Sequence, residues 1–227
     1  MKRVFVLASI LLLSACIFGG GDSGTGPRRP GAPHSKPHLK AAKSGIPTDA
    51  ETRQCYASLN RKRVEFRSLP DRGTPGSCSR IGTIQLLDIG TPVTNLGAMR
   101  CGLADRFVNW VRYGIRPAAR QILGSDVVKI ESFGTYSCRG IVGNGTASRL
   151  SEHAVADAVD IAAFDLADGR RISVLEGWNS DNQQVRAFLR VVHRSACKRF
   201  STTLGPEYNS AHRNHFHIDM GGGHFCR

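Results

Sequence analysis

Apolar residues recur at helical spacing in the middle of the chain. After the first apolar position of this segment, the next ones follow four, seven and eight residues later. These positions are Leu103, Phe107, Trp110 and Val111. Such spacing places the side chains on one face of a helix. The pattern predicts a long helix within residues 98–123, with one buried face and an end near Gly124.

A second helical pattern lies nearer the C-terminus. Its apolar positions follow one another at i, i+3, i+4 and i+7. They are Val185, Phe188, Leu189 and Val192. Asn179 or Ser180 precedes the pattern and is of a residue type that caps helix N-termini. His193 lies on the same predicted helix and is interpreted as a structural residue.

Short apolar runs bounded by turn residues predict strands around the two helices. The predicted strands cover residues 64–66, 127–130, 161–164, 171–174 and 215–220. The pair Asp168-Gly169 predicts a hairpin between the third and the fourth strand. The sequence has no internal repeat. The expected fold class is α+β, an antiparallel sheet with helices packed beside it.

The first 16 residues have the pattern of an export signal. Lys2 and Arg3 precede an apolar run from Val4 to Leu13, and small residues then lead to Cys16. The run is shorter than the ~20 apolar residues that span a bilayer. Small residues before a cysteine are typical of a bacterial lipobox, so residues 1–16 are predicted to be a lipoprotein signal peptide with Cys16 lipidated. A plain signal peptide cleaved nearby is the alternative.

The segment that follows the signal is rich in Gly, Pro, Ser and basic residues. Residues 17–48 cannot bury a core, which predicts a disordered linker. Residues 49–227 have a length that suits one globular domain. The chain is therefore predicted to be an exported domain on a tether, anchored on the periplasmic side of the cell envelope. Ile17 after the lipobox cysteine favours the outer membrane in a Gram-negative cell.

The formal net charge of the chain is +13, and loss of Lys2 and Arg3 with the signal lowers it by two. A basic protein has anionic partners. Export and the lack of an aromatic-basic recognition strip argue against nucleic acid. The expected partners are peptidoglycan peptides or another anionic wall polymer, and anionic lipid head groups. A solvated basic surface without a partner is the alternative.

Six cysteines remain after the leader, and an even number in an exported chain predicts disulfides. They are Cys55, Cys78, Cys101, Cys138, Cys197 and Cys226. Sequence cannot choose among the possible connectivities; sequential pairing is the working expectation, Cys55 with Cys78, Cys101 with Cys138, and Cys197 with Cys226. No C-x-x-C motif occurs, which argues against a thiolate zinc site. Paired sulfurs also exclude a cysteine nucleophile.

Two segments of the domain carry the candidate chemistry. The first, SEHAVADAVDI, has His153 and Asp160 seven residues apart; the second, HRNHFHID, ends with His215, His217 and Asp219 at alternate positions. On a strand, alternate residues project from one face. A catalytic zinc has three His or carboxylate ligands and an open position for water. His153, Asp160 and His217 supply such a set; separately, each would be an ordinary polar residue.

These motifs resemble the extensin-like C-terminal domain, a family related to the LAS and D-Ala-D-Ala carboxypeptidase-type zinc metallopeptidases with the hedgehog/DD-peptidase fold. The resemblance extends from about Thr52 to the end of the chain. The family pattern S-x-H-x-x-G-x-A-x-D and its closing H-x-H match Ser151, His153, Ala158, Asp160, His215 and His217. It implies zinc bound by His153, Asp160 and His217, and Arg139 as a clamp for a substrate carboxylate or carbonyl. A surface arginine beside a disulfide is the alternative for Arg139.

The chain departs from the family pattern at two positions. Ala156 replaces the glycine of the first motif, which is costly if the backbone there is left-handed. Asn214 stands where related peptidases often have the Asp or Glu that activates water. The base must then come from elsewhere: His215 is the first candidate and His212 the second, because imidazole suits proton transfer near neutral pH. Asp219 is expected to orient an imidazole rather than to bind metal.

The function expected from these features is a lipid-anchored zinc peptidase that cleaves peptidoglycan stem or cross-link peptides, as a carboxypeptidase or an endopeptidase. The alternative is a non-catalytic, zinc-containing lipoprotein that binds the cell wall or signals. A disulfide-held structural lipoprotein without metal is the third hypothesis.

Overall fold

The computed structural model describes residues 39–143 and 148–227 of the chain. Its α-helices are α1 (Asp49–Arg61), α2 (Cys101–Trp110), α3 (Arg116–Ala118), α4 (Val174–Gly177) and α5 (Gln183–Cys197). Its strands are β1 (Glu65–Ser68), β2 (Arg72–Gly73), β3 (Ser79–Arg80), β4 (Thr83–Asp88), β5 (Met99–Arg100), β6 (Val127–Gly134), β7 (Ala158–Leu166), β8 (Arg171–Ser173), β9 (Thr202–Leu204), β10 (Phe216–Asp219) and β11 (Phe225–Cys226). The predicted signal peptide, Cys16 and most of the predicted linker lie outside the described residues.

The largest sheet has six strands in the order β11-β9-β10-β7-β6, with β8 paired to β7. Its pairs are antiparallel except β9 with β11. A three-stranded sheet, β1-β4-β5, and the pair β2-β3 complete the described sheets. This is a mixed α+β fold with antiparallel sheets, as the hydrophobic pattern predicted.

The two predicted helices are confirmed. The first runs from Cys101 to Leu123, where π-helical turns at 111–115 and 119–123 alternate with α2 and α3. Its four predicted core positions are fully buried. Gly124 ends the run with φ 70°, a left-handed conformation that glycine adopts without strain.

The N-terminal ends of two helices differ from the expectation. Asn182, rather than Asn179 or Ser180, caps α5 and accepts hydrogen bonds from two backbone N–H groups. The sequence pattern also gave no helix at α1. Its signal is a capping box, in which the Thr48 hydroxyl accepts from the N–H of Glu51 and the Glu51 carboxylate accepts from the N–H of Thr48.

The six cysteines of residues 49–227 all form disulfides, but sequential pairing was wrong for two of the three bonds. The bonds are Cys55–Cys101, Cys78–Cys138 and Cys197–Cys226. The first joins α1 to the start of α2, which packs against it. Pairing therefore follows which elements pack together, and this is not encoded in the order of the cysteines along the chain.

The end of the predicted linker is part of the folded domain. The N–H of Lys40 donates to the carbonyl oxygen of Ser148 at 3.0 Å, and the carbonyl oxygen of Lys40 accepts from the N–H of Leu150 at 2.8 Å. Arg100 donates to the carbonyl of Gly45. The linker boundary therefore lies before these residues rather than at 48. No helix of the described residues is long and apolar enough to cross a membrane.

Candidate metal centre

Strand alternation separates the core from the candidate site. On β10, Phe216 and Ile218 are fully buried in the hydrophobic core. His217 and Asp219 alternate with them and project from the opposite face. On β7, the core positions Val159 and Ile161 flank Asp160 in the same way. His217 and Asp160 are direct cross-strand partners, which brings their side chains together.

His153 reaches the same point from a short 3₁₀ helix, Glu152–Val155. The Ser151 hydroxyl caps this helix by accepting from the N–H of His153 at 3.3 Å. Ala156 ends it with φ 56° and ψ 30°, and the chain then turns into β7. A left-handed alanine costs roughly 1–2 kcal/mol relative to the right-handed conformation. Ala156, which replaces the glycine of the family pattern, therefore stands in a left-handed conformation that glycine would adopt without this strain.

The donor atoms of His153, Asp160 and His217 form a small triangle. Nε2 of His153 lies 3.1 Å from Nδ1 of His217 and 3.1 Å from Oδ1 of Asp160. Nδ1 of His217 lies 2.9 Å from the same carboxylate oxygen. A tetrahedral ion with bonds near 2.0–2.1 Å spaces its ligands about 3.3 Å apart. The triangle therefore has nearly the size of one face of a tetrahedral site, and the fourth position is left for another ligand.

Hydrogen bonds on the outer side of each ring fix the tautomers. Nδ1 of His153 donates to the carbonyl oxygen of Thr135 at 2.7 Å, and Nε2 of His217 donates to Oδ2 of Asp219 at 3.0 Å. Neutral rings with these protons direct lone pairs toward Asp160. Three acceptors then face one another with no proton between them. Such a group is stable only with a cation at its centre, either a metal ion or an additional proton.

The pKa values of the buried pair agree with this reading. Burial lowers the pKa of His217, but hydrogen bonds to Asp160 and Asp219 outweigh burial and raise it to about 9. Burial raises the pKa of Asp160, yet hydrogen bonds from His153 and His217 hold it well below its usual value. The site thus favours positive charge on the His217 imidazole beside the Asp160 carboxylate.

His215 lies beside the donor triangle, as predicted from its alternation with His217. Its Nε2 is 3.6 Å from Oδ1 of Asp160, and its Nδ1 donates to Oδ1 of Asn214 at 2.9 Å. The ring of Phe133 packs edge-on against it, with the ring centres 5.6 Å apart. Burial lowers the pKa of His215. The ring is therefore neutral near pH 7, with its free lone pair directed toward the site.

His212 belongs to the same cluster but lies farther out. Its ring centre is 5.2 Å from that of His215 and 5.8 Å from that of His217. Its Nδ1 donates to Oδ1 of Asn209 at 2.7 Å. Burial, together with the two neighbouring histidines, lowers the pKa of His212 to about 4. His212 is therefore neutral at pH 7, and its ring packs edge-on against that of His217.

Arg139 also reaches the candidate centre. Its guanidinium Nη2 lies 3.9 Å from Oδ2 of Asp160, and about a third of the side chain is exposed. A cavity of about 320 Å³ opens beside it and is also lined by His212, His217 and Asp219. Arg139 is thus accessible from the cavity that His217 also lines.

Two residues near the site were missed by the sequence analysis. Thr135 orients His153 through a backbone carbonyl, for which sequence has no signal. Glu152 is buried, and its carboxylate accepts hydrogen bonds from the backbone of Lys43 and Ser44. The sequence did offer one signal for Glu152. It stands next to His153 in a segment of buried residues, and a buried charged side chain needs hydrogen-bond or ion-pair partners.

The comparisons with known proteins give one match. A protein-family profile described as "Extensin-like protein C-terminus" matches residues 53–227, which includes every candidate metal donor. No curated protein and no solved structure matches the chain.

Proposed function

Because the chain belongs to the family of extensin-like protein C-termini, we propose that its family domain is a zinc-dependent peptidase that cleaves peptidoglycan stem or cross-link peptides. The zinc ligands in this proposal are His153, Asp160 and His217. Relationship to the LAS and D-Ala-D-Ala carboxypeptidase-type metallopeptidases, and their hedgehog/DD-peptidase fold, are part of the proposal.

One observation carries the proposal. The inner atoms of two imidazoles and one carboxylate converge within 3.1 Å, while the outer nitrogen of each imidazole is held by its own acceptor. Catalytic zinc sites typically have three imidazole or carboxylate ligands, and each imidazole is oriented by a hydrogen bond from the ring nitrogen that does not bind the metal. The alternative occupant, a proton shared within the cluster, needs neither Arg139 nor an adjoining cavity.

Zinc, when bound, supplies a Lewis acid that polarises a carbonyl and lowers the pKa of water to about 7. The protein residues have distinct tasks around it. His215 accepts the proton of the attacking water through its free Nε2 and passes it to the leaving amine. Arg139 binds the substrate carbonyl or carboxylate through paired hydrogen bonds. Asp219 keeps the His217 proton on Nε2, so that Nδ1 is free to bind metal.

The envelope location is proposed from the N-terminal sequence. A lipidated Cys16 would anchor the chain to the periplasmic side of the envelope, and the residues after it would let the domain reach the wall. The net charge of +13 supports an anionic wall polymer or lipid surface as the environment.

The test is turnover of purified muropeptides by the full chain loaded with one zinc per molecule. His217→Ala removes a donor, and His224→Ala is the matched control on the exposed C-terminal tail. We expect zinc-dependent products from the parent and the His224 variant, and none from His217→Ala. Absence of products from the zinc-loaded parent would reject the peptidase.

A second function has its own supporting observation. Asn214 stands at the position of the usual acidic base, and its side-chain oxygen accepts from His215 instead. A non-catalytic, zinc-containing protein that binds the wall or signals has no need of a base. Tight binding of muropeptides by the zinc-loaded parent without any hydrolysis would favour this second function.

A further inference from the structure

Residues 39–45, the N-terminal strap, lie before the part of the chain that matches the family. The strap is nevertheless built into the domain beside the metal centre. The backbone of Lys40 bonds to Ser148 and Leu150, and Nη1 of Arg149 donates to the carbonyl of Ala41 at 3.0 Å. The strap is therefore held in a defined position by hydrogen bonds to residues 148–150.

The strongest attachment of the strap is the buried carboxylate of Glu152. Its Oε1 accepts from the N–H of Lys43 at 2.6 Å. Its Oε2 accepts from the N–H of Ser44 at 3.2 Å and from the Ser44 hydroxyl at 2.5 Å. Charge-assisted bonds of this kind are about twice as strong as neutral ones. Glu152 thus fixes the backbone at Lys43, while His153, the next residue, is itself one of the three candidate donors.

The strap contributes Lys43 to the lining of the cavity that adjoins the metal centre at His217. Lys43 lines this cavity together with Arg139 and Arg149. Ile141, Val142, Leu204 and Phe225 are among its apolar walls. Two carboxylates also line it, but both are engaged: Glu152 by the strap, and Asp219 by His217 and the N–H of Gly221. The three cations of the lining outnumber its two carboxylates, which favours an anionic ligand.

We propose that the strap completes the substrate site, and that Lys43, with Arg149, binds the free terminal carboxylate of a peptide whose scissile bond lies at the metal centre. This inference rests on the proposed function and selects carboxypeptidase over endopeptidase. A cavity of about 320 Å³ is at the small end of ligand sites, which span roughly 300–1,000 Å³, and suits a short peptide end.

The reaction on this basis is a hydrolysis without a further reactant. The amide C–N bond before the last one or two residues breaks, and a C–O bond forms to the oxygen of water. One proton of that water passes to the leaving amine and the other to solvent, so that the new chain end is a carboxylate. The short product with the original terminal carboxylate is the part held by Lys43.

The test compares two probes, an acetylated stem peptide ending in D-Ala with a free carboxylate and the same peptide as its C-terminal amide. Equilibrium binding to the zinc-loaded full chain is measured by calorimetry. We expect the free acid to bind about tenfold more tightly than the amide. Lys43→Gln should remove most of this preference, and Lys43→Arg should retain it. Lys40→Gln, the matched control, removes the same charge from a strap residue that does not line the cavity.

The outcomes separate this inference from the proposed function. Equal binding of acid and amide by the parent, or a full preference in Lys43→Gln, would overturn the role of the strap. Hydrolysis is followed separately in the same samples by mass spectrometry. A Lys43-dependent preference without hydrolysis leaves the strap site standing and rejects the peptidase, whereas cleavage of both probes at equal efficiency rejects the strap site alone.

Discussion

Nε2 of His217 donates to Oδ2 of Asp219 at 3.0 Å, on the side of the ring that faces away from Asp160. The two residues are alternate positions of β10, so the strand itself sets this contact. Asp219 in turn accepts from the N–H of Gly221 at 2.8 Å, which holds the carboxylate in place. The orientation of a candidate metal donor is thus fixed by its own strand and the turn that follows.

Asp219 is expected to control metal affinity without touching the metal. Asp219→Asn keeps an acceptor for the His217 ring but removes its charge, so zinc should bind about tenfold more weakly. Asp219→Ala removes the acceptor as well, and the loss should approach 100-fold. Competition with a chromophoric chelator measures both. The matched control is Asp105→Asn, because Asp105 pairs with Lys62 on the surface of the domain. Unchanged affinity in Asp219→Ala would contradict this role.

The sequence predicted the elements that carry the site better than it predicted what surrounds them. The alternation that places His217 on the face opposite Phe216 is a property of the strand and is visible in the sequence. The cross-strand pairing of His217 with Asp160 depends on sheet register. Residue types and the family resemblance grouped these two residues in one site, but neither predicted that they pair across strands. Cys55 pairs with Cys101 because two helices pack together, and no local pattern encodes helix packing.

The strap shows a different limit of sequence reasoning. Residues 39–45 have the composition of a linker, and composition correctly indicates that they build no core. Their order comes instead from hydrogen bonds to Glu152 and to the backbone near Leu150, which lie more than 100 positions later in the chain. A segment can therefore be polar, lack regular structure and still be fixed, provided that distant partners satisfy its backbone.

Zinc binding is expected to release a proton at neutral pH. The pKa of His217 is raised to about 9, so in chelator-treated protein this ring is protonated at pH 7. The metal must displace that proton. Affinity should therefore rise by about tenfold per pH unit from pH 7 to 9 and level off above. Calorimetry in two buffers of different ionisation enthalpy counts the protons; zero release at pH 7 would contradict the shifted pKa.

The same pKa shift gives the stability of the chelator-treated protein a defined pH dependence. The folded-state pKa of His217 exceeds the ordinary value of 6.5. Its stabilising contribution is complete below pH ~6.5 and is lost as the pH rises through about 9. We therefore expect the difference in melting temperature between zinc-loaded and chelator-treated protein to widen from pH 6 to pH 9. The free zinc concentration is held constant by a metal buffer in this comparison. A difference in melting temperature that narrows from pH 6 to pH 9 would contradict the raised pKa of His217.

The disulfide connectivity is directly testable with double variants. Cys55→Ser with Cys101→Ser removes one bond completely and should leave no free thiol among the four remaining cysteines of residues 49–227 in the denatured protein. Cys55→Ser with Cys78→Ser removes one partner from each of two bonds and should leave two titratable thiols, at Cys101 and Cys138. Sequential pairing predicts the reverse. The first variant should lose about 4 kcal/mol of unfolding free energy, because its bond closes a loop with a sequence separation of 46.

The two candidate bases are expected to differ in their effect on catalysis. His215 directs Nε2 to within 3.6 Å of the Asp160 carboxylate, whereas the ring of His212 is centred 5.8 Å from that of His217. His215→Ala should therefore lower kcat for muropeptide hydrolysis by 10²–10⁴-fold, the usual contribution of a general base. His212→Ala should lower it by about tenfold. Both variants should retain one zinc per chain, since neither residue belongs to the proposed donor set of His153, Asp160 and His217.

Metal content is what makes the His215 result interpretable. Loss of activity together with loss of zinc would mean that His215 supports the metal site rather than proton transfer. Full activity with zinc retained would place the base on another residue, and His212→Ala in the same assay then identifies or excludes the second candidate. His215→Gln is the final discriminating variant. It keeps a polar side chain beside Phe133 but offers no basic nitrogen, so it should fold and bind zinc like the parent while its kcat stays as low as that of His215→Ala.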